Sequence, residues 1–333
     1  MKNSKNIKID AVITWVDSAD KNWQLKINKY LDKKIDWEDK KASTRYNSLN
    51  EIEIAILSII KYASFIKNIY LVTDNQEPEN FKKLQSFAFK KNVNLELVDH
   101  QVIFKRFDNY LPTFNSCSII TMLYQIPNLS EHFVIFNDDT FLMRETNEED
   151  FFKNGQPVIR GVWESFYEDK IFRKLYIKVK SIFKKQDKQK TGYKLAQQNS
   201  AKLLGLKKYI RRDHTPVSIR KSTIEEYFNQ NPKFLDNNIK HRFRNNSQFI
   251  ISSLSNHLEV KKETYILKTD FQLSYFQSYH FLITKFKLKM FENIKTKKFV
   301  CFQSLELAPK KTLNLILNWI DKKLETNFID TIN

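Results

Sequence analysis

Phe133, Val134, Ile135 and Phe136 form a short uninterrupted apolar run, with the turn-forming Pro127-Asn128-Leu129-Ser130 before it and Asn137-Asp138-Asp139 after it. A run of that length without polar alternation reads as a central parallel strand, covered on both faces. In open α/β sheets ligands lie beyond the carboxyl ends of the strands, so Asp138 and Asp139 would stand where a substrate lies. Two acids there repel each other. A divalent cation carried by a nucleotide phosphate would relieve that repulsion, and hard oxygen ligands suit magnesium or manganese. The plain structural alternative is a strand-to-loop turn capped by Asn and Asp.

The same design recurs upstream. Ile9-Asp10-Ala11-Val12-Ile13-Thr14-Trp15-Val16 runs into Asp17-Ser18-Ala19-Asp20, and Ile69-Tyr70-Leu71-Val72-Thr73 runs into Asp74-Asn75. Periodicity predicts strand 9–16, a helix within 21–33, helix 49–62, strand 68–73, helix 78–90, strand 93–98, helix 115–125 and strand 132–137. That alternation is the signature of a mostly parallel, Rossmann-like α/β sheet covered by helices. After Gly161 the pattern turns largely helical, with helices expected near 170–186, 194–209, 221–230, 245–257 and 311–325. Leu313, Ile316, Leu317, Ile320 and Leu324 give the last of these one apolar face. The expected division is an α/β core over 1–160 and a mainly helical region over 161–333 that folds over the sheet edge and completes a site.

Three stretches carry a family resemblance: IDAVITWVDSAD, then RYNSLNEIEIAILSIIKYASFIKNIYLVTDNQEP, then LPTFNSCSIITMLYQIPNLSEHFVIFNDDTFL. In order and spacing over residues 9 to 142 they resemble conserved regions of the Stealth family of sugar-phosphate transferases, which includes bacterial capsule polymerases and the eukaryotic N-acetylglucosamine-1-phosphotransferase. Asp213-His214-Thr215-Pro216, with His241-Arg242-Phe243-Arg244-Asn245-Asn246, is similar to a fourth, weaker region. Two positions depart from the family pattern. Cys117 stands where the family usually has His, and Ser18 where it usually has Gly.

The resemblance implies a nucleotide-sugar-binding sheet and a reaction. An acceptor hydroxyl attacks the phosphorus bonded to the sugar of a UDP-sugar, a sugar phosphodiester forms, and UMP leaves. Such chemistry needs a base, cationic stabilisation of the phosphate oxygens and in-line positioning. The implied base is His214, whose neutral imidazole can accept a proton. Its bland alternative is an ordinary structural histidine. Arg244, Arg242 and Arg45 are the implied phosphate clamps, since a guanidinium offers paired donors to two oxygens; surface salt bridges are their alternative. Asp138 and Asp139 would hold the metal, with Asp139 also counted as catalytic. Asp17, Asn47, Asp74, Asn115 and Ser116 are assigned to donor or substrate contacts. Asp17 could equally cap a helix, as could Asn115 and Ser116. The acceptor would be a growing capsule polymer or another cell-surface glycan. An ordinary glycosyltransferase that releases UDP, or a non-catalytic basic glycan- or membrane-binding protein, are the competing functions.

Charge and composition narrow the field. The chain has 333 residues and a net charge of +18, and between Ser165 and His214 fifteen Lys or Arg stand against four Asp or Glu, a local balance of +11. Within that interval Ile171, Phe172, Leu175, Tyr176, Val179, Ile182 and Phe183 recur at helical spacing among Lys and Arg. Three readings compete for this basic segment: a helix packed on the core with a solvated basic face, a surface helix on an anionic membrane, or a contact for a negatively charged polymer or capsule assembly through 170–212. The chain has no zinc spacing, basic zipper or RNP-like strand, so nucleic-acid binding ranks low despite the basic balance. It also lacks a Gly-x-Gly-x-x-Gly and a P-loop. With no signal-peptide apolar region, no run of transmembrane length and only Cys117 and Cys301 as cysteines, the expected location is the cytoplasm, with peripheral attachment at the inner face of the cytoplasmic membrane as the alternative. Both cysteines read as core thiols.

Overall fold

In the computed structural model, which describes residues 7–38, 51–169 and 192–326, the strand β1 (Ile9–Thr14) lies at the centre of a five-stranded sheet. It pairs in parallel with β2 (Asn68–Thr73) on one side and β4 (His132–Asn137) on the other, and β3 (Asn94–Asp99) lies outside β2, also parallel. Successive side chains of a strand face opposite ways. Ile9, Ala11 and Ile13 accordingly enter one core, with the helices Glu51–Tyr62, Phe81–Lys90 and Lys310–Leu324, while Val12 enters a second with Lys221–Gln230, Pro232–Ile239 and Ile251–Lys261. Both faces are therefore covered, which is why these strands read as continuous apolar runs. The expected α/β fold stands.

The fifth strand comes from the second half of the chain. β10 (Val217–Arg220) runs antiparallel beside β4, with Val217 opposite Ile135. Counting back from Val217 and forward from Ile135 brings His214 level with Asp138, so the antiparallel edge strand delivers the 212–216 loop to the carboxyl end of β4. A smaller sheet continues from there. β5 (Thr140–Leu142) follows Asp139 directly and pairs with β13 (Phe299–Phe302), which pairs with β12 (Leu273–Phe276). The remaining pairings are β6 (Phe152–Lys153) with β7 (Gln156–Arg160), β7 with β11 (Ile266–Lys268), and β8 (Val162–Ser165) with β9 (Lys208–Arg211).

Helices predominate among the described residues after 161, but periodicity alone missed these short strands and the helices Pro232–Ile239 and Phe281–Asn293. Two boundaries are corrected. The helix expected over 194–209 is Tyr193–Leu203, ended at Gly205, whose φ of 72° suits the left-handed position after a helix; β9 follows. The helix expected over 245–257 begins only at Ile251, because the Asn245 side chain accepts from Ser247 N at 2.9 Å and fixes a turn. Arg45, Asn47 and the basic helix expected near 170–186 lie outside the described residues.

Candidate active site at the carboxyl edge of the sheet

The parallel strands end on one edge, and the candidate site is built there. β4 closes in a two-residue turn, Asp138-Asp139, before β5 begins. Both carboxylates are half-buried. Burial, and next to it the charge of Asp139, push the Asp138 carboxyl well above the usual carboxylate range. Asp139 is held by its neighbours: Thr140 donates its hydroxyl to Asp139 Oδ1 at 3.1 Å, and Phe302 N donates to the Asp139 carbonyl at 3.0 Å. In the smaller sheet Thr140 lies opposite Cys301, and Cys301 opposite Tyr275. Residues in register share a face, and that row meets the His214 loop. Asp139, His214 and Cys301 each place a ligand atom within 4.8 Å of the others.

The His214 ring lies between two tyrosines. Tyr275 stacks on it at 5.1 Å and 9°, and Tyr193 at 5.6 Å and 27°. The Tyr275 hydroxyl donates to Gln303 Oε1, so its ring is fixed from behind. The loop itself is anchored by β9. Arg211 bonds Glu164 at 2.6 Å and Asp213 at 2.8 Å, Arg212 N donates to Gln197 Oε1 at 2.8 Å, and Thr215 N donates to the Asp213 carbonyl at 2.8 Å. Ile210 N donates to His257 Nε2 at 2.9 Å, which requires that nitrogen to be unprotonated.

His257 is therefore a buried neutral histidine, and burial lowers its pKa from 6.5 to about 4. Because the folded value is depressed, its stabilising contribution is complete above the unfolded value and is lost as pH falls from about 6.5 to about 4. That window corresponds to about 3 kcal/mol. Denaturant midpoints measured across it should fall more steeply for the wild type than for His257→Gln, which can accept the same bond but does not titrate. Parallel profiles for the two proteins would rule the effect out.

A second cluster sits at the start of the helix Ser116–Met122. Asn115 caps this helix by accepting from Cys117 N at 3.1 Å, and its amide group donates to the His241 and Phe243 carbonyls at 2.8 and 3.0 Å and to Gln248 Oε1 at 2.9 Å. It thus pins the 241–248 loop to the helix start. On that loop Arg244 is exposed and donates to Ser116 Oγ at 2.7 Å, while Arg242 donates to the Pro112 carbonyl at 2.8 Å and stacks over Tyr30 at 4.1 Å. Phe243 packs with Phe114, Trp23 and Ile27. Cys117 lies near enough to the Tyr193 hydroxyl for the two groups to interact, which links this cluster to the His214 stack.

The remaining candidates lie at the ends of β1 and β2. Asp17 Oδ1 accepts from Ala19 N at 2.8 Å, and the Asp17 backbone exchanges two bonds of 2.9 Å with the Gln76 side chain. The helix cap expected as the alternative for Asp17 is supplied by Asp20, which accepts from Asn22 N at 2.8 Å at the start of Lys21–Asn28. Asp74 is held by Lys26, whose Nζ reaches both carboxylate oxygens at 2.7 and 2.8 Å. Sequence reading did not single out Tyr193, Tyr275, Gln76 or the position of Cys301; Tyr193, Tyr275 and Cys301 reach the site from distant parts of the chain, while Gln76, just after β2, ties Asp17 to the neighbouring strand end.

The donor set has a chemical preference. Burial keeps the Cys301 thiol protonated, so the soft ligand of the group is not presented as thiolate. The oxygens of Asp138 and Asp139, two acids forced together, fit a hard divalent ion.

Residues 45–159 match the family model Stealth protein CR2, conserved region 2. A capsular polysaccharide phosphotransferase, LcbA of Neisseria meningitidis, is 33% identical over 245 residues, covering 70% of this chain and 60% of its own. Capsular polysaccharide phosphotransferase fcs1 of Haemophilus influenzae is 31% identical over 244 residues, covering 71% and 61%. The chain belongs to the Stealth family. The model match contains the second and third quoted regions, so the Stealth match includes the end of β2 and the Asp138-Asp139 turn after β4, while Asp17, His214 and Cys301 lie outside it. This chain spans less than two thirds of the length of those Stealth relatives. Among solved structures, the apo form of the bifunctional glycosyltransferase WbbM is similar in fold at a TM-score of 0.52 and 12% identity, covering 98% of this chain and 51% of its own.

Proposed function

We propose that this protein transfers a hexose- or N-acetylhexosamine-1-phosphate from a UDP-sugar to a hydroxyl of a cell-surface glycan, in capsular polysaccharide synthesis. The observation that carries the reading is the approach of Asp139 and His214 to within 4.8 Å at the carboxyl edge of the sheet. A base and an acid that would serve the phosphate end of a donor are then next to each other. As the acceptor oxygen bonds to phosphorus, His214 takes the hydroxyl proton, and the phosphorus–oxygen bond to the uridine monophosphate breaks. The Tyr193 and Tyr275 rings hold the imidazole plane throughout. A magnesium or manganese ion held by Asp138 and Asp139 would stabilise charge on the non-bridging phosphate oxygens. Arg244 and Ser116 offer donors for the same charge from the helix start, with Arg45 and Asn47 assigned there by resemblance. Asn115 and Arg242 act at one remove, by fixing the 241–248 loop. Asp17 and Asp74 border the donor end. In this reading residues 1–160 bind the donor, and 161–333 complete the site and the acceptor surface. Incubation with a panel of UDP-sugars and a glycan acceptor, scoring the nucleotide released, tests it: UMP is expected from at least one donor, and UDP would count against it.

A further inference from the structure

The helix Phe281–Asn293 is apolar on two sides, which a helix with only one buried face does not require. Thr284, Leu288 and Phe291 are buried, and Phe291 meets Trp319 edge-on at 5.5 Å. Away from that face, Leu282, Ile283, Phe286 and Met290 remain 77%, 50%, 62% and 37% exposed. Leu282, Phe286 and Met290 follow each other at intervals of four and so form one stripe along the helix. Exposed Lys285 and Lys289 flank it, and Lys311 approaches its beginning with Nζ 4.5 Å from the Phe281 ring centre. Glu292, the one acid of the helix, is engaged elsewhere: Trp319 and Lys323 each donate to it at 2.8 Å. The outward face of this helix is therefore apolar and cationic, with no acid of its own left to balance the lysines.

We propose that this face docks on the anionic surface of a phospholipid bilayer. A symmetric contact with a second copy would bring Lys285 and Lys289 against their own counterparts, whereas an anionic surface satisfies them. A soluble polyanion would pair with the lysines but would leave Leu282 and Phe286 in water. A layer with acidic headgroups above acyl chains matches both features at once. No helix among the described residues is long and apolar enough to cross a membrane, so the attachment is in the plane of the interface. The inference is independent of the transferase reading.

Flotation of the intact protein with vesicles of phosphatidylcholine, and with vesicles that also contain phosphatidylglycerol, tests it. Binding is expected to the second kind and to fall with added salt. Lys285→Gln with Lys289→Gln should weaken it roughly 25-fold, at about fivefold per lysine. Leu282→Ser with Phe286→Ser and Met290→Ser should weaken it by about 100-fold or more. These side chains are exposed, so thermal unfolding should stay close to wild type, and the lysine pair leaves the core untouched. Unchanged binding in both variants would overturn the proposal, as would binding lost only on neutralising Lys178, Lys180, Lys184 and Lys185. A sedimentation mass that drops in the serine variant, with no vesicle binding by the wild type, would instead assign the face to a second copy.

Discussion

Asp139→Asn should lower turnover by about a thousandfold, corresponding to about 4 kcal/mol of transition-state stabilisation, with the fold intact. The size of the effect follows from position. Asp139 lies next to the His214 imidazole and beside Asp138, whose carboxyl is pushed up by burial and by Asp139 itself. Removing either charge removes half of the oxygen set offered to a divalent ion. Asp138→Asn should therefore also be strongly impaired, and excess chelator should abolish turnover in the wild type until magnesium or manganese is restored. Steady-state rates with and without chelator check this. Full activity in chelator, or in both variants, would remove the ion from the account.

Loss of the imidazole should be as damaging, but in a different parameter. General-base removal is expected to lower kcat by ~10²–10⁴-fold with little change in donor KM. Because the ring is packed between Tyr193 and Tyr275, His214→Ala would also open a gap in the stack. His214→Phe keeps the aromatic sandwich and removes only the nitrogens, so both variants should lose kcat alike. Arg244→Ala, at an exposed position against Ser116, should raise donor KM as well. Near wild-type kcat in His214→Phe would show that another group activates the acceptor.

The strand ends were readable because buried parallel strands must be apolar throughout, so β1, β2 and β4 stand out against the polar residues that follow them. Asp138 and Asp139 come directly from that contrast. The walls of the site were not readable for the opposite reason. β5, β12 and β13 are three or four residues long, too short for any period to show. Yet their register brings Thr140, Cys301 and Tyr275 into one row. Cys301 is buried, as a core thiol should be, but only the pairing of β13 with β5 places it beside Asp139. The sandwich around His214 joins Tyr193 and Tyr275, which no local pattern connects. Asn115 shows the reverse case: its reading as a helix cap was available from sequence, and the cap is present, but its grip on the 241–248 loop depends on distant carbonyls.

The central claim concerns which bond breaks. With a UDP-sugar and a glycan acceptor, attack at phosphorus must release UMP and leave one phosphorus in each new linkage. Attack at the anomeric carbon, as in a glycosyltransferase, must release UDP and leave none. Phosphorus NMR of the glycan product, combined with chromatography of the nucleotide at early times in phosphatase-free conditions, reads both. The account predicts UMP in equal amount to new phosphodiester; stoichiometric UDP with a phosphorus-free glycan would contradict it.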